Sequence, residues 1–191
     1  MGNNISAVIL AGGANKRLGG ITKANVIIEG LSIISRILSV IEDLFPEIII
    51  VTNKPEEFRK FGQCKIVADQ YLKAGPLGGI HAAMNSSFED AIFVFAGDMP
   101  FLDKKIISDQ ISEFKNGKED ALIPKLCQFI EPLHAIYRKS IMNELEKFLN
   151  DRKSRAVRDF LGYVNVGYLE IPDTEQNKKA FTNINSPSDL P

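Results

Sequence analysis

The chain has no tryptophan, two cysteines and two histidines in 191 residues, and almost no net charge. Each scarcity excludes something. Cys64 and Cys127 have no spacing that suits a metal or a redox pair, so two reduced thiols in a cytoplasmic protein are expected rather than a disulfide. His81 and His134 stand alone, without metal-ligand spacing, and read as structural. No Ser/His/Asp or Cys/His motif supports covalent catalysis. With 23 Lys+Arg against 24 Asp+Glu, no global field draws the chain to nucleic acid or anionic lipid. A basic binding surface must therefore be local. No apolar run approaches the roughly 18–20 residues of a membrane span, so no membrane association is expected. The N-terminus has no basic n-region or cleavage site, so no signal peptide is expected. Met1-Gly2-Asn3-Asn4-Ile5-Ser6 fits the loose myristoylation pattern, but the first strand begins too soon to leave a free arm. Without a secretory signal, the sequons at Asn4 and Asn85 carry no meaning.

Two familiar phosphate motifs are also missing. A Walker A loop needs Gly-x-x-x-x-Gly-Lys-Ser/Thr, and Gly19 here is followed by Gly20 and Ile21. The Gly-x-Gly-x-x-Gly dinucleotide fingerprint fails because Gly12 and Gly13 are adjacent. What stands instead is an apolar strand, Ala7-Val8-Ile9-Leu10, running into Ala11-Gly12-Gly13, then Arg17 and Lys23. Glycines let backbone N–H groups approach a ligand closely, and successive N–H groups form an anion-binding concavity. A guanidinium and an ammonium add full positive charge. A glycine pair that merely ends a strand beside solvated basic residues is the bland alternative, but the fixed offsets of Arg17 and Lys23 favour a nucleoside triphosphate.

Further along, strand-like and helical runs alternate. Asn25 to Gly30 reads as a short strand or hairpin edge, and Ile33, Ile34, Ile37, Leu38 and Ile41 recur at helical spacing up to a stop at Pro46. Ile48-Ile49-Ile50-Val51-Thr52 reads as a strand covered on both faces, and Lys65-Ile66-Val67-Ala68 as a shorter one. A helix follows Gly75-Pro76-Leu77-Gly78-Gly79, and Ala91-Ile92-Phe93-Val94-Phe95-Ala96 is the most apolar strand. Ile106, Ile107 and Ile111 mark another helix. Short strands are expected near 121–123 and 134–137, with helices over about 139–149 and 155–161. The alternation predicts an α/β chain: one domain, 1–191, with a Rossmann-like, mostly parallel sheet and helices on both faces.

In open parallel sheets, ligands bind beyond the carboxyl ends of the strands. Gly12-Gly13, Asn53, Asp69 and Asp98 each stand just past a separate predicted strand, so all should lie along one rim. Asp98, held by Pro100 at a rigid strand end, suits a hard divalent cation beside phosphate oxygens, or else caps the next helix. Asp69 has the same ambiguity, with a ribose hydroxyl or base edge as its other use. Asn53 could do likewise or simply form a turn before Pro55. The helix start at Gly75 to Gly79 is an anion site or a tight turn. Near the C-terminus, Phe181-Thr182-Asn183-Ile184-Asn185 reads as an alternating strand with both asparagines on one face, and Ser186-Pro187 as a helix start. Lys153, Arg155 and Arg158 form a basic cluster that is either solvated surface or a seat for an acceptor phosphate.

Taken together, these segments resemble the MobA-like guanylyltransferases of molybdenum cofactor synthesis. The resemblance rests on Leu10-Ala11-Gly12-Gly13 with Arg17, Gly19 and Lys23, on Gly75-Pro76-Leu77-Gly78-Gly79, and on Gly97-Asp98-Met99-Pro100. Glu131-Pro132-Leu133 and Asn183-Ile184-Asn185-Ser186-Pro187-Ser188-Asp189-Leu190 complete it. Asn15, Leu18 and Thr22 depart from the family's usual serine, methionine and acidic residue, and the segment 125–130 is more apolar than expected. The resemblance implies a nucleotide-diphospho-sugar transferase-like fold and transfer of GMP from GTP to the phosphate of molybdopterin, with Mg²⁺. It implies that Leu10, Ala11, Gly12 and Gly13 meet the guanine and ribose, and that Asn53, Asp69 and Gly78 help to fix the nucleotide. Arg17 and Lys23 would hold the triphosphate and Asp98 the metal, these three being the catalytic set. The N-terminal half would bind nucleotide and the C-terminal half the acceptor. Molybdenum cofactor biosynthesis proteins and molybdoenzyme chaperones are the candidate protein partners. A cytidylyltransferase or sugar-phosphate nucleotidyltransferase is the nearest rival. A glycosyltransferase usually places a second carboxylate after the metal aspartate, where this chain has Met99-Pro100. A non-catalytic nucleotide-binding protein would have little use for Arg17, Lys23 and Asp98 together.

Overall fold

Ala7 to Leu10 form the body of the first strand, β1 (Ile5–Leu10), and it becomes the centre of the sheet. The computed structural model of the chain describes residues 4–12, 22–71, 73–151, 154–185 and 189. Gly13, Arg17 and Gly19 of the opening motif, Lys153 of the basic cluster, and Ser186-Pro187 lie outside the described residues.

After β1 come a hairpin, β2 (Ile27–Ile28) and β3 (Leu31–Ser32), then helix α1 (Ile33–Ile41). The hairpin edge expected at 25–30 is therefore present, but α1 ends five residues before Pro46. Strand β4 (Ile48–Val51) and strand β5 (Lys65–Val67) follow, then α2 (Pro76–Ser86), β6 (Ala91–Ala96) and α3 (Lys104–Asn116). The later half adds β7 (Ala121–Leu126), β8 (Phe129–Ile130), β9 (His134–Arg138), α4 (Met142–Asp151), α5 (Val157–Phe160), β10 (Val166–Ile171) and α6 (Glu175–Ala180). The apolar segment 125–130 is thus the end of β7, a turn with Cys127 at φ 54°, and β8.

The sheet order is β10-β7-β9-β6-β1-β4-β5, with β8 added beside β7. Along that path only β9 runs antiparallel to its neighbours. Side-chain alternation assigns each strand to two layers. Ala7, Ile9, Phe93 and Phe95 pack with Ile34 and Ile37 of α1 and Ile107 of α3. Val8, Ile49, Ile92 and Val94 pack with Leu77 and Ile80 of α2, Leu145 of α4 and Phe160 of α5. Strand β6 is buried at every position, which is why its sequence is apolar without alternation. Fully burying each of its Ile, Phe and Val side chains stabilises the fold by about 1.5–3 kcal/mol. The expectation of a mostly parallel sheet with helices on both faces holds. Among the described residues, no helix is long and apolar enough to cross a membrane.

The segment 181–185 is not a strand. Its one backbone hydrogen bond to the sheet end runs from Ile184 N to Asp98 O, 2.9 Å. Ile184 is buried, and this plug, rather than pairing, produces the alternating pattern.

Both cysteines are free; Cys64 is buried, and burial pushes its thiol up to about 11. His134 is structural in a specific way. Its ring is enclosed by Phe93, Phe95 and Phe181, Nδ1 meets Gln110 Oε1 at 3.1 Å, and Nε2 is buried with no partner. Desolvation therefore disfavours the imidazolium and lowers the group from 6.5 to about 4. Because the folded value is depressed, this contribution is complete above about pH 6.5 and is lost as pH falls through about 4. Denaturant melts of the wild type between those limits should show a loss of roughly 3 kcal/mol that His134→Gln does not share. Equal slopes in the two proteins would refute the assignment.

Candidate active site

The rim expected from the strand ends is assembled by adjacent strands. In the order β5-β4-β1-β6, the residues just beyond the strands are Asp69, Asn53, Gly12 and Asp98. Backbone bonds lock these ends together: Ala11 N donates to Val51 O at 2.9 Å, Gly97 N to Leu10 O at 3.1 Å, and Ala96 N to Leu133 O at 2.8 Å. Above them lies a cleft of about 610 Å³. Leu10, Ala11, Gly12, Lys23, Asn53, Asp69 and Asp98 all line it.

Asp98 and Lys23 share this cleft directly. Lys23 Nζ lies 2.9 Å from Asp98 Oδ2 and 2.6 Å from Asn185 Oδ1. The capping alternative for Asp98 is removed, because Asp103 caps α3 by accepting from Lys105 N and Ile106 N. The C-terminal segment thus reaches the site twice, through Ile184 N to the Asp98 carbonyl and through Asn185 to the Lys23 ammonium. Asn183 makes no comparable contact with Lys23, so the two asparagines do not act as a matched pair there.

On the other side, Asn53 Oδ1 accepts from Asp69 N at 3.2 Å, and Asp69 Oδ1 accepts from Tyr71 N at 2.8 Å. Burial raises the proton affinity of the Asp69 carboxyl, partly opposed by the Tyr71 amide and by His81. His81 packs edge-on against Tyr71 and places Nε2 3.1 Å from Glu146 Oε1, the structural role read for it. Gly78 does not line the cleft. It lies behind Asp69, where a Cβ would stand 2.6 Å from Asp69 Oδ1. The cleft is instead lined by Gly75, Pro76 and Gly79 of the same segment. Gly75 takes φ +65° to turn the chain into α2, a conformation that favours glycine.

The basic cluster is tied to nearby backbone: Arg155 Nη1 donates to Lys73 O at 2.6 Å and Arg158 Nη2 to Ile130 O at 3.0 Å. Since Lys73 lines the cleft, Arg155 supports its wall. Glu131 is largely buried, accepts from Leu133 N at 3.2 Å, and burial raises its proton affinity, with Arg158 opposing. Lys73, Leu133 and Thr52 also line the cleft; Leu133 belongs to the Glu131-Pro132-Leu133 segment, whereas Lys73 and Thr52 carry no site role from sequence. Thr52 had a readable signal, its position just past β4; Lys73, at φ 71° in a turn, had none.

Such a rim can seat a phosphorylated ligand against backbone and a cation, with an acid beside it. Among the described residues no group of three or more His, Cys, Asp or Glu could hold a metal alone.

The chain is similar to known proteins along most of its length. The MobA-like NTP transferase domain matches residues 7–166. A protein of Natranaerobius thermophilus named "Probable molybdenum cofactor guanylyltransferase" is 36% identical over 198 residues, covering 100% of this chain and 95% of its own. A protein of the same name from Clostridium perfringens strain SM101 is 38% identical over 187 residues, covering 95% of this chain and 91% of its own. The crystal structure of molybdopterin-guanine dinucleotide biosynthesis protein A from Archaeoglobus fulgidus superposes with a TM-score of 0.81 at 28% identity, covering 97% and 94% of the two chains. The chain is a nucleotidyltransferase and belongs to the MobA-like NTP transferase family.

Proposed function

We propose that this enzyme transfers GMP from GTP to the phosphate of molybdopterin, releasing pyrophosphate and forming the guanine dinucleotide. The observation that carries the reading is the Lys23–Asp98 pair, 2.9 Å apart within a cleft floored by the Leu10 to Gly12 rim. An acceptor phosphate oxygen attacks the α-phosphorus of GTP, and the bond to the β-phosphate oxygen breaks. The acceptor is already an anion, so no general base is required. The barrier lies in juxtaposing polyanions and stabilising the leaving pyrophosphate, which positioning and electrostatics supply.

Lys23, with Arg17, neutralises the triphosphate. Asn53 and Asp69 fix the nucleoside, and the Leu10 to Gly13 backbone meets the base and ribose. Asp98 would hold Mg²⁺, which when bound supplies charge stabilisation to the phosphate oxygens. In the free protein Lys23 already neutralises Asp98, so a cation alone has little to gain there until a triphosphate draws the ammonium away. The C-terminal half supplies the acceptor side, where Arg155 is tied to Lys73 of the cleft wall. Delivery of molybdopterin by another protein of cofactor biosynthesis, and handover to a molybdoenzyme chaperone, fit this chemistry.

Incubation with molybdopterin, GTP and Mg²⁺ should yield a product of the dinucleotide's mass. Isothermal titration should give a Kd for GTP well below those for CTP and UTP. Preference for CTP, or no dinucleotide from purified components, would sink the reading.

A further inference from the structure

The turn that carries Lys23 is fastened to the opposite wall of the cleft by a carboxylate outside every motif. Lys23–Asn25 form one 3-10 turn, closed by Asn25 N to Thr22 O and Val26 N to Lys23 O, each 2.9 Å. The segment after β4 carries Thr52 and Asn53, which line the cleft, and then the turn Pro55–Phe58, anchored by the buried Phe58 ring. Among the described residues, no backbone hydrogen bond crosses between 22–25 and 52–58. Glu57 makes the crossing. Its Oε2 accepts from Asn25 Nδ2 at 3.1 Å, its Oε1 from Lys54 Nζ at 2.8 Å, and the Thr22 hydroxyl also donates to it. Thr22 and Asn25 therefore bracket Lys23 and share one anchor with Lys54, the residue next to Asn53.

We propose that Glu57 is a positioning residue: through Thr22 and Asn25 it holds the Lys23 turn at a fixed distance from the Asn53 wall, so that the ammonium meets the triphosphate in register. This rests on the reading of Lys23 as the triphosphate cation. Glu57 itself touches no substrate and is not among the cleft-lining residues. Lys54, first, and the Thr22 hydroxyl hold its carboxyl down to about 2, so the anchor stays charged at any working pH. The Asn25 amide uses its Nδ2 on this tie, whereas its Oδ1 is buried with no partner among the described residues, so releasing Glu57 leaves the Asn25 side chain without a hydrogen bond there. A lysine on a long flexible stem loses alignment readily when its turn is free, and a misplacement of about 1 Å can cost on the order of 10²-fold in rate.

The test pairs kinetics with amide exchange on the full chain. Glu57→Ala and Asn25→Ala should each lower kcat with GTP by about 10-fold to 100-fold. The double variant should fall little further, because both break one tie. Affinity for GMP, which lacks the β- and γ-phosphates, should stay within about twofold, and Glu57→Gln, which keeps an acceptor, should recover most of the loss. Amides of Asn25 and Val26 should lose exchange protection in Glu57→Ala, while those of β1 and β6 should not. Near-normal kcat in a folded Glu57→Ala, additive losses, or a parallel loss of GMP affinity would overturn the proposal. If the wild type does not turn over GTP, the function reading fails by itself. The tie is then judged by exchange alone: unchanged protection at Asn25 and Val26 refutes it, and local loss there upholds it.

Discussion

Asp98→Ala should lower turnover of GTP by on the order of 10²-fold or more while leaving the fold in place. The two halves of that expectation come from different contacts. In the fold, the side chain of Asp98 contributes a part-buried ion pair with Lys23, worth about 1 kcal/mol. Its main-chain carbonyl, which accepts from Ile184 N, survives the substitution. Lys23 also keeps Asn185 as a partner, so the ammonium is not stranded. In the reaction, the same carboxylate is the cleft's acid at the end of β6 and the residue proposed to hold Mg²⁺. A 10²-fold drop corresponds to about 3 kcal/mol of transition-state stabilisation, several times the structural loss. Lys23→Ala should cost a comparable factor by removing positive charge from the triphosphate. Steady-state turnover with GTP, Mg²⁺ and acceptor, set beside a thermal melt, separates the two effects. Asp98→Ala with near-wild-type turnover would show that the metal is held elsewhere.

Much of this site was legible in the residues because strand ends are legible. Apolar runs that stop at Gly12, Asn53, Asp69 and Asp98 announce where the chain leaves the sheet, and parallel winding carries all four exits to one rim. Their adjacency, in the order β5-β4-β1-β6, was not readable, since strand order depends on crossovers rather than on local pattern. The failures have equally local causes. Strand β10 is an edge strand whose residues are mostly half-buried or exposed, so it has no apolar signature, and β8 is only two residues long. The segment 181–185 alternates because the buried Ile184 is flanked by less buried polar residues, a pattern that imitates a strand without its ladder. Gly78, implied by the resemblance to help fix the nucleotide, instead backs Asp69, whose carboxylate fills the space that its missing Cβ leaves. Glu57 gave no signal at all. Its partner Asn25 lies 32 positions away, and nothing in either neighbourhood marks the pair.

Two glycines of the rim should differ in stability, though not in loss of function, on gaining the same methyl group. At Gly97, an added Cβ would stand 2.7 Å from Leu10 O and 3.2 Å from Ala11 Cα, both backbone atoms that cannot rotate aside. The carbonyl it strikes is the one that accepts from Gly97 N, so relief means prising β6 away from β1 where the cleft begins. Overpacking of this kind costs typically 1–3 kcal/mol, and weakening the bond adds about 1 kcal/mol. Gly97→Ala should therefore melt roughly 4–16 °C lower, at about 2–4 °C per kcal/mol for a chain of this size. It should also lose at least about tenfold in turnover, because Leu10 and Asp98 move apart. At Gly12, by contrast, an added Cβ meets nothing within 4 Å among the described residues, and its backbone does not need a positive φ. Gly12→Ala should melt within about 1 °C of wild type, as surface substitutions usually do. Its methyl projects into space the nucleotide is proposed to occupy, so GTP affinity should still fall by about tenfold or more. A Gly12→Ala protein with unchanged GTP affinity would mean that the nucleotide does not lie against this stretch of backbone.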